Sequence, residues 1–142
     1  MILISNQSEF NKICEVLSNE RILYMDTEFH RRKTYYAILS IIQISTPNQK
    51  IIIDALSDIN LSALKTILLN PLILKVLHSP DQDFEIFLKL FGALPKNVFD
   101  TQIAAMMCYN YKNAIGYAPL VQQLCKVKIE KKSFKRVDWT LR

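Results

Sequence analysis

The stretch Ile22-Leu23-Tyr24-Met25-Asp26-Thr27-Glu28-Phe29 decides how this chain is read. Its first four residues are apolar or aromatic and read as a short strand ending at Asp26. A strand sets residues i and i+2 on one face, so the carboxylates of Asp26 and Glu28 project together. Like charges held that close raise each other's pKa unless a cation lies between them. A hard divalent cation with oxygen ligands is one solution. Two solvated acids where a strand meets a loop are the other.

A third acid sharpens the choice. Ser79-Pro80-Asp81-Gln82 has the composition of a helix start, with Ser79 as N-cap, Pro80 in the first turn and Gln82 closing a capping box. Projected at helical spacing from Pro80 to Phe91, residues Phe84, Ile86, Phe87, Leu88, Leu90 and Phe91 form one broad apolar arc. Asp83 is the only charge inside that arc, while Asp81, Gln82, Glu85 and Lys89 share the polar face. An unpaired carboxylate in apolar surroundings is costly, so Asp83 needs a partner. That partner is either a buried arginine or a cation shared with Asp26 and Glu28. Asp100, after Phe99, is a further ligand or the N-cap of the helix that follows.

Outward from these acids the chain reads as α/β. Phe10, Ile13, Cys14 and Leu17 recur at helical spacing. Leu39 to Ser45 is a buried strand, Pro47-Asn48 a turn, and Lys50 to Asp54 its hairpin partner. Leu61 to Leu69 is helical and Ile73 to Leu77 is another strand. Helices then take over at Pro80 to Phe91, Asp100 to Tyr109 and Tyr117 to Cys125. Early strands that alternate with helices imply a layered domain with a mixed sheet.

Composition narrows the classes. The 142 residues fit a single domain, and a half-hydrophobic chain with 22% charged residues supports a core. No apolar run approaches membrane length and no signal peptide is read, so a cytoplasmic protein without membrane association is expected. Cys14, Cys108 and Cys125 are odd in number and widely spaced, which fits reduced thiols and gives zinc no ligand set. Only Gly92 and Gly116 occur, which excludes Gly-rich phosphate loops. The net charge of +5 gathers in His30-Arg31-Arg32-Lys33 and from Lys126 to Arg136. Such clusters suit a polyanion, or else a solubilising surface.

The acids lie within longer strings that resemble the ribonuclease D family of DEDD exonucleases. Met25-Asp26-Thr27-Glu28-Phe29, continued through Arg31, Thr34-Tyr35-Tyr36, Leu39 and Ile42-Gln43-Ile44, is similar to the family's first motif. His78-Ser79 through Asp83 to Glu85-Ile86-Phe87 resembles the second, and Val98-Phe99-Asp100-Thr101-Gln102-Ile103 a downstream segment. Lys131 to Arg142, with Asp138-Trp139, resembles the approach to the third. Ala37 stands where the family usually has proline.

The resemblance implies a ribonuclease H-like 3′-5′ exonuclease fold over residues 1–142, C-terminally incomplete and without the family's further helical nucleic-acid-binding domain. It implies 3′-5′ hydrolysis of single-stranded RNA ends, as in tRNA and small-RNA processing. Asp26, Glu28 and Asp83 would be both the catalytic residues and the ligands of two divalent ions, Mg²⁺ or Mn²⁺. Phe29, Arg31, Thr27 and His78 would bind substrate, with Phe29 stacking on the terminal base unless it packs in the core. The family's water-orienting tyrosine and fourth carboxylate have no match in this chain. Weak or absent activity alone is therefore expected. Completion by a second polypeptide or by self-association, survival as a nucleic-acid-binding remnant, and a DNA-directed exonuclease are the alternatives.

Overall fold

The computed structural model describes residues 1–31, 34–109 and 114–129. Arg32-Lys33 and the stretch from Lys131 to Arg142, with Asp138-Trp139, lie outside the described residues.

Six strands form one mixed sheet: β1 (Ile2–Ile4), β2 (Ile22–His30), β3 (Ile38–Ser45), β4 (Lys50–Asp54), β5 (Leu74–Leu77) and β6 (Val98–Asp100). Their spatial order is β1-β4-β3-β2-β5-β6. The pairs β2–β3 and β3–β4 are antiparallel, and the other three pairs are parallel. Helices α1 (Gln7–Ser18), α2 (Ser62–Leu69), α3 (Asp81–Phe91), α4 (Thr101–Tyr109) and α5 (Tyr117–Cys125) complete the described residues.

The core forms where the apolar periodicities meet. Helix α1 buries Phe10, Ile13, Cys14 and Leu17, the face its spacing specified. Helix α2 adds Leu64, Ile67 and Leu68, and α3 adds Ile86 and Phe87. All join Leu23, Met25, Ile42, Ile44, Ile51 and Ile53 of the sheet in one cluster. On β2, alternation therefore turns Leu23, Met25 and Thr27 toward the core, and Tyr24 and Asp26 toward the opposite, solvent-accessible side.

Several expectations need correction. Strand β2 does not end at Asp26 but runs to His30, because β3 pairs with it from Tyr24 to His30 and satisfies its backbone. The edge strands β1 and β6, each three residues long, carry too little sequence signal to be read without their neighbours. Ser79 does not cap α3. It adopts a left-handed backbone (φ 53°) and donates its N–H to Asp100 Oδ1 at 3.0 Å, while Pro80 occupies the cap position without a side-chain bond. The apolar arc of α3 is also narrower than projected, since Leu88 and Leu90 are exposed.

Candidate active site

Strand β2 outruns its parallel neighbour. It pairs with β5 only from Ile22 to Tyr24, whereas its pairing with β3 continues to His30. The acids lie on this overhang. The register skips Ser40, with Glu28 opposite Ile41 and Phe29 opposite Leu39, so the ladder is bulged just where Glu28 leaves it. Helix α3 follows β5 and brings Asp83 against the same stretch. Thr27 Oγ1 donates to Asp83 Oδ1 at 2.6 Å in buried surroundings.

The electrostatics follow from this geometry. Burial and the nearby Asp83 hold the Asp26 carboxyl above the usual aspartate range, although the Thr27 amide offsets part of the rise. Burial, then Asp26, then Asp83 raise Glu28. Burial raises Asp83, and the Thr27 hydroxyl opposes that rise. Among the described residues, no lysine or arginine pairs with any of the three. The buried arginine considered for Asp83 is therefore not found; its side-chain partner is Thr27.

Three uncompensated carboxylates offer hard oxygen donors, the chemistry that Mg²⁺ and Mn²⁺ select. Among the described residues, no three Asp, Glu, His or Cys side chains gather closely enough to enclose one ion. The donor type therefore fits a hard divalent ion, while the spacing forms no closed protein cage among the described residues.

A cleft of about 580 Å³ opens on the Asp26 side of the sheet, walled by Tyr24, Gln43, His78, Thr101 and Tyr117 among others. Gln43 lies directly across the ladder from Asp26. His78 Nδ1 lies 2.9 Å from Thr101 Oγ1, and that hydroxyl donates to the Leu77 carbonyl at 3.1 Å. The hydroxyl's one proton is thus used, so Nδ1–H is the donor to Thr101. This leaves Nε2 buried with no hydrogen-bond partner among the described residues. The Tyr117 ring meets His78 edge-on, with centroids 5.5 Å apart.

The remaining residues named from sequence are placed as follows. Phe29 is half-buried and packs against the core, so only part of its ring is free to meet a base. Arg31 donates to Glu85 through both terminal guanidinium nitrogens, at 2.9 and 3.1 Å, and also donates to the Tyr35 carbonyl at 3.2 Å. Asp100 Oδ1 accepts from Gln102 N at 2.8 Å and from Ser79 N, which makes it the cap of α4. Gln43, Tyr24 and Tyr117 escaped the sequence reading as cleft residues. Tyr24 stands two residues before Asp26 on one strand and was recoverable; Gln43 and Tyr117 depend on strand register and helix placement.

A mixed sheet with acids clustered on the overhang of a central strand defines a ribonuclease H-like α/β domain. The chain belongs to the 3′-5′ exonuclease family, whose model matches residues 1–140. Ribonuclease D of Acidiphilium cryptum is 37% identical over 142 residues, a match covering 99% of this chain and 36% of that protein. The crystal structure of Escherichia coli RNase D superposes with a TM-score of 0.90 at 37% identity, covering 99% of this chain and 37% of the other. Trypanosoma brucei RNase D, solved with RNA U12, shares the fold at a TM-score of 0.81 and 15% identity, covering 90% of this chain and 48% of that one. The chain thus spans little more than a third of the length of its ribonuclease D relatives from Acidiphilium and Escherichia.

Proposed function

We propose that this chain is the 3′-5′ exoribonuclease domain of a ribonuclease D-like enzyme, with Asp26, Glu28 and Asp83 as its catalytic carboxylates. Mg²⁺ or Mn²⁺ is the cofactor and the 3′ end of single-stranded RNA the substrate, as in tRNA or small-RNA trimming. The observation that carries this reading is the three acids on the overhang of β2 and on α3, with burial acting on each, charge repulsion acting on Asp26 and Glu28, and no basic partner among the described residues. When bound, two such ions activate the attacking water and stabilise the leaving 3′ oxygen.

The chain's own residues hold and orient. Asp26 fronts the cleft, where a terminal nucleotide can enter past Tyr24 and Gln43. The uncovered part of Phe29 stacks without reading sequence, and His78 presents its face at the cleft wall. Arg31 meets backbone phosphate by exchanging Glu85 for it, since phosphate offers the same bidentate acceptor geometry. Three free thiols suit a reducing compartment, in keeping with a cytoplasmic site of action.

Within these 142 residues the family motifs supply three carboxylates and no matching water-orienting tyrosine. The test is incubation with 3′-tailed single-stranded RNA, or the matched DNA, and Mn²⁺, with Asp26→Asn and a chelator as controls. Stepwise shortening of the RNA that vanishes in both controls is expected. Shortening that survives Asp26→Asn refutes the site. Salt-sensitive binding with no turnover under any of these conditions shows a binding module instead.

A further inference from the structure

Thr27 stands between the two strand acids, and alternation turns its side chain to the covered face of β2. From there its hydroxyl reaches α3 and donates to Asp83 Oδ1 at 2.6 Å. An ionised carboxylate has no proton to give, so the hydroxyl must be the donor and its single proton is committed. A bond this short to an ionised oxygen belongs to the strong, charge-assisted class. Both partners are buried, at 6% and 8% exposure, and the β-branch of threonine restricts its rotation, so the pair has little freedom to part. No other side chain among the described residues bonds to Asp83. One of its carboxylate oxygens is therefore fixed by Thr27, while no side chain among the described residues claims the other.

We propose that Thr27 is a positioning residue: its hydroxyl holds Oδ1 of Asp83 and so presents the second oxygen to a divalent ion. The proposal rests on the reading of Asp26, Glu28 and Asp83 as metal ligands. It gives the Thr27 hydroxyl a role other than the substrate contact that the motif resemblance implied, because that group's single proton is donated to Asp83. The tripeptide Asp26-Thr27-Glu28 then does two jobs through strand alternation. Two residues supply ligands on one face, and the residue between them aims the third ligand from the other. Partners that orient a metal ligand typically contribute about 10–100-fold to metal affinity when removed.

The experiment measures Mn²⁺ binding to the whole chain by loss of the free-ion paramagnetic resonance signal, with melting in chelator recorded for every variant. Thr27→Val keeps the shape and removes the hydroxyl; it is expected to weaken Mn²⁺ binding about 10–100-fold. Thr27→Ser restores the donor and is expected to bind as the wild type does. In an Asp83→Asn background, Thr27→Val should weaken binding no further, because the group it aims is already gone. If Thr27→Val does not fold, Thr27→Ala against Thr27→Ser decides by the same criterion. Wild-type binding by Thr27→Val, or an equal loss with and without Asp83, overturns the positioning role while leaving the metal site intact. Wild-type binding by both Asp26→Asn and Asp83→Asn instead overturns the metal site itself, and the proposal with it.

Discussion

At the scale of single residues, the acids pull in opposite directions for folding and for function. Asp26, Glu28 and Asp83 all have pKa values raised in the fold, so each costs stability when ionised without a counter-charge. Replacing Asp26 by asparagine removes one repelling charge and keeps the shape. In chelator, the variant is expected to melt above the wild type, because it no longer holds that charge in the fold. Mn²⁺ should raise the melting temperature of the wild type, because it binds only the folded state, and should raise that of the variant far less. A scanning calorimetry pair in chelator and Mn²⁺ checks both. Equal Mn²⁺ effects on the two proteins would remove Asp26 from the ligand set. Much of this was legible in the sequence. Asp83 is conspicuous as the one charge in an apolar arc, and Asp26 and Glu28 share a face by simple alternation. The bond from Thr27 to Asp83 joins residues 56 positions apart and was not legible, because it needs the relative placement of β2 and α3.

At the scale of elements, helix α3 serves as both a core helix and a docking post. Its inner face buries Ile86 and Phe87, while its outer face holds the β2–β3 connection through Glu85 and Lys89. Arg31 bridges to Glu85, and the Lys89 ammonium sits 4.6 Å above the Tyr36 ring, which in turn meets Tyr35 edge-on. The periodicity of α3 could be read directly, but this outer contact could not, since Glu85 and Lys89 look like ordinary solvated residues. Capping misled for a related reason: Ser79 suits an N-cap by type, yet Asp100 on the next strand takes its amide and pulls it from the helix axis. The Arg31–Glu85 pair is solvent-exposed, so it contributes at most about 1 kcal/mol to stability. Glu85→Gln should therefore leave the melting temperature nearly unchanged. It frees Arg31, however, and should tighten binding of a short single-stranded RNA a few-fold at low salt, an effect that fades as salt screens it. Fluorescence anisotropy across a salt series measures this. Unchanged affinity in Glu85→Gln together with unchanged affinity in Arg31→Ala would show that Arg31 serves only to dock the connection.

At the scale of the whole molecule, the early antiparallel strands and the helical second half were evident from pattern. The closing of the sheet at both edges was not, because β1 and β6 gain their identity only by pairing in parallel with β4 and β5. The same limit hid the partners of Lys75, a charged residue within the strand from Ile73 to Leu77 that is fully buried. Its ammonium donates to the carbonyls of Asn70 at 2.7 Å and Ile73 at 2.8 Å, tying the end of α2 to the start of β5. Burial lowers its pKa from the ordinary 10.5 to about 8. Below pH 8 the group is charged in both folded and unfolded chains, so the fold carries the full cost of burying an ammonium. Between 8 and 10.5 the unfolded chain binds more protons than the folded one, and stability rises with pH. Cys14 acts the other way. Burial raises its thiol from 9.0 to about 11, so the unfolded chain sheds that proton first and stability falls across that window. The interval from pH 8 to 9 therefore isolates the lysine. Urea denaturation at pH 7.5, 8.5 and 9 should show the wild type gaining stability relative to Lys75→Met, a variant with a similar stem and nothing to titrate. Cys14→Ala should preserve that gain and extend it above pH 9. Parallel pH profiles for the wild type and Lys75→Met would mean that the ammonium keeps its proton in the fold, with the two carbonyls compensating its burial.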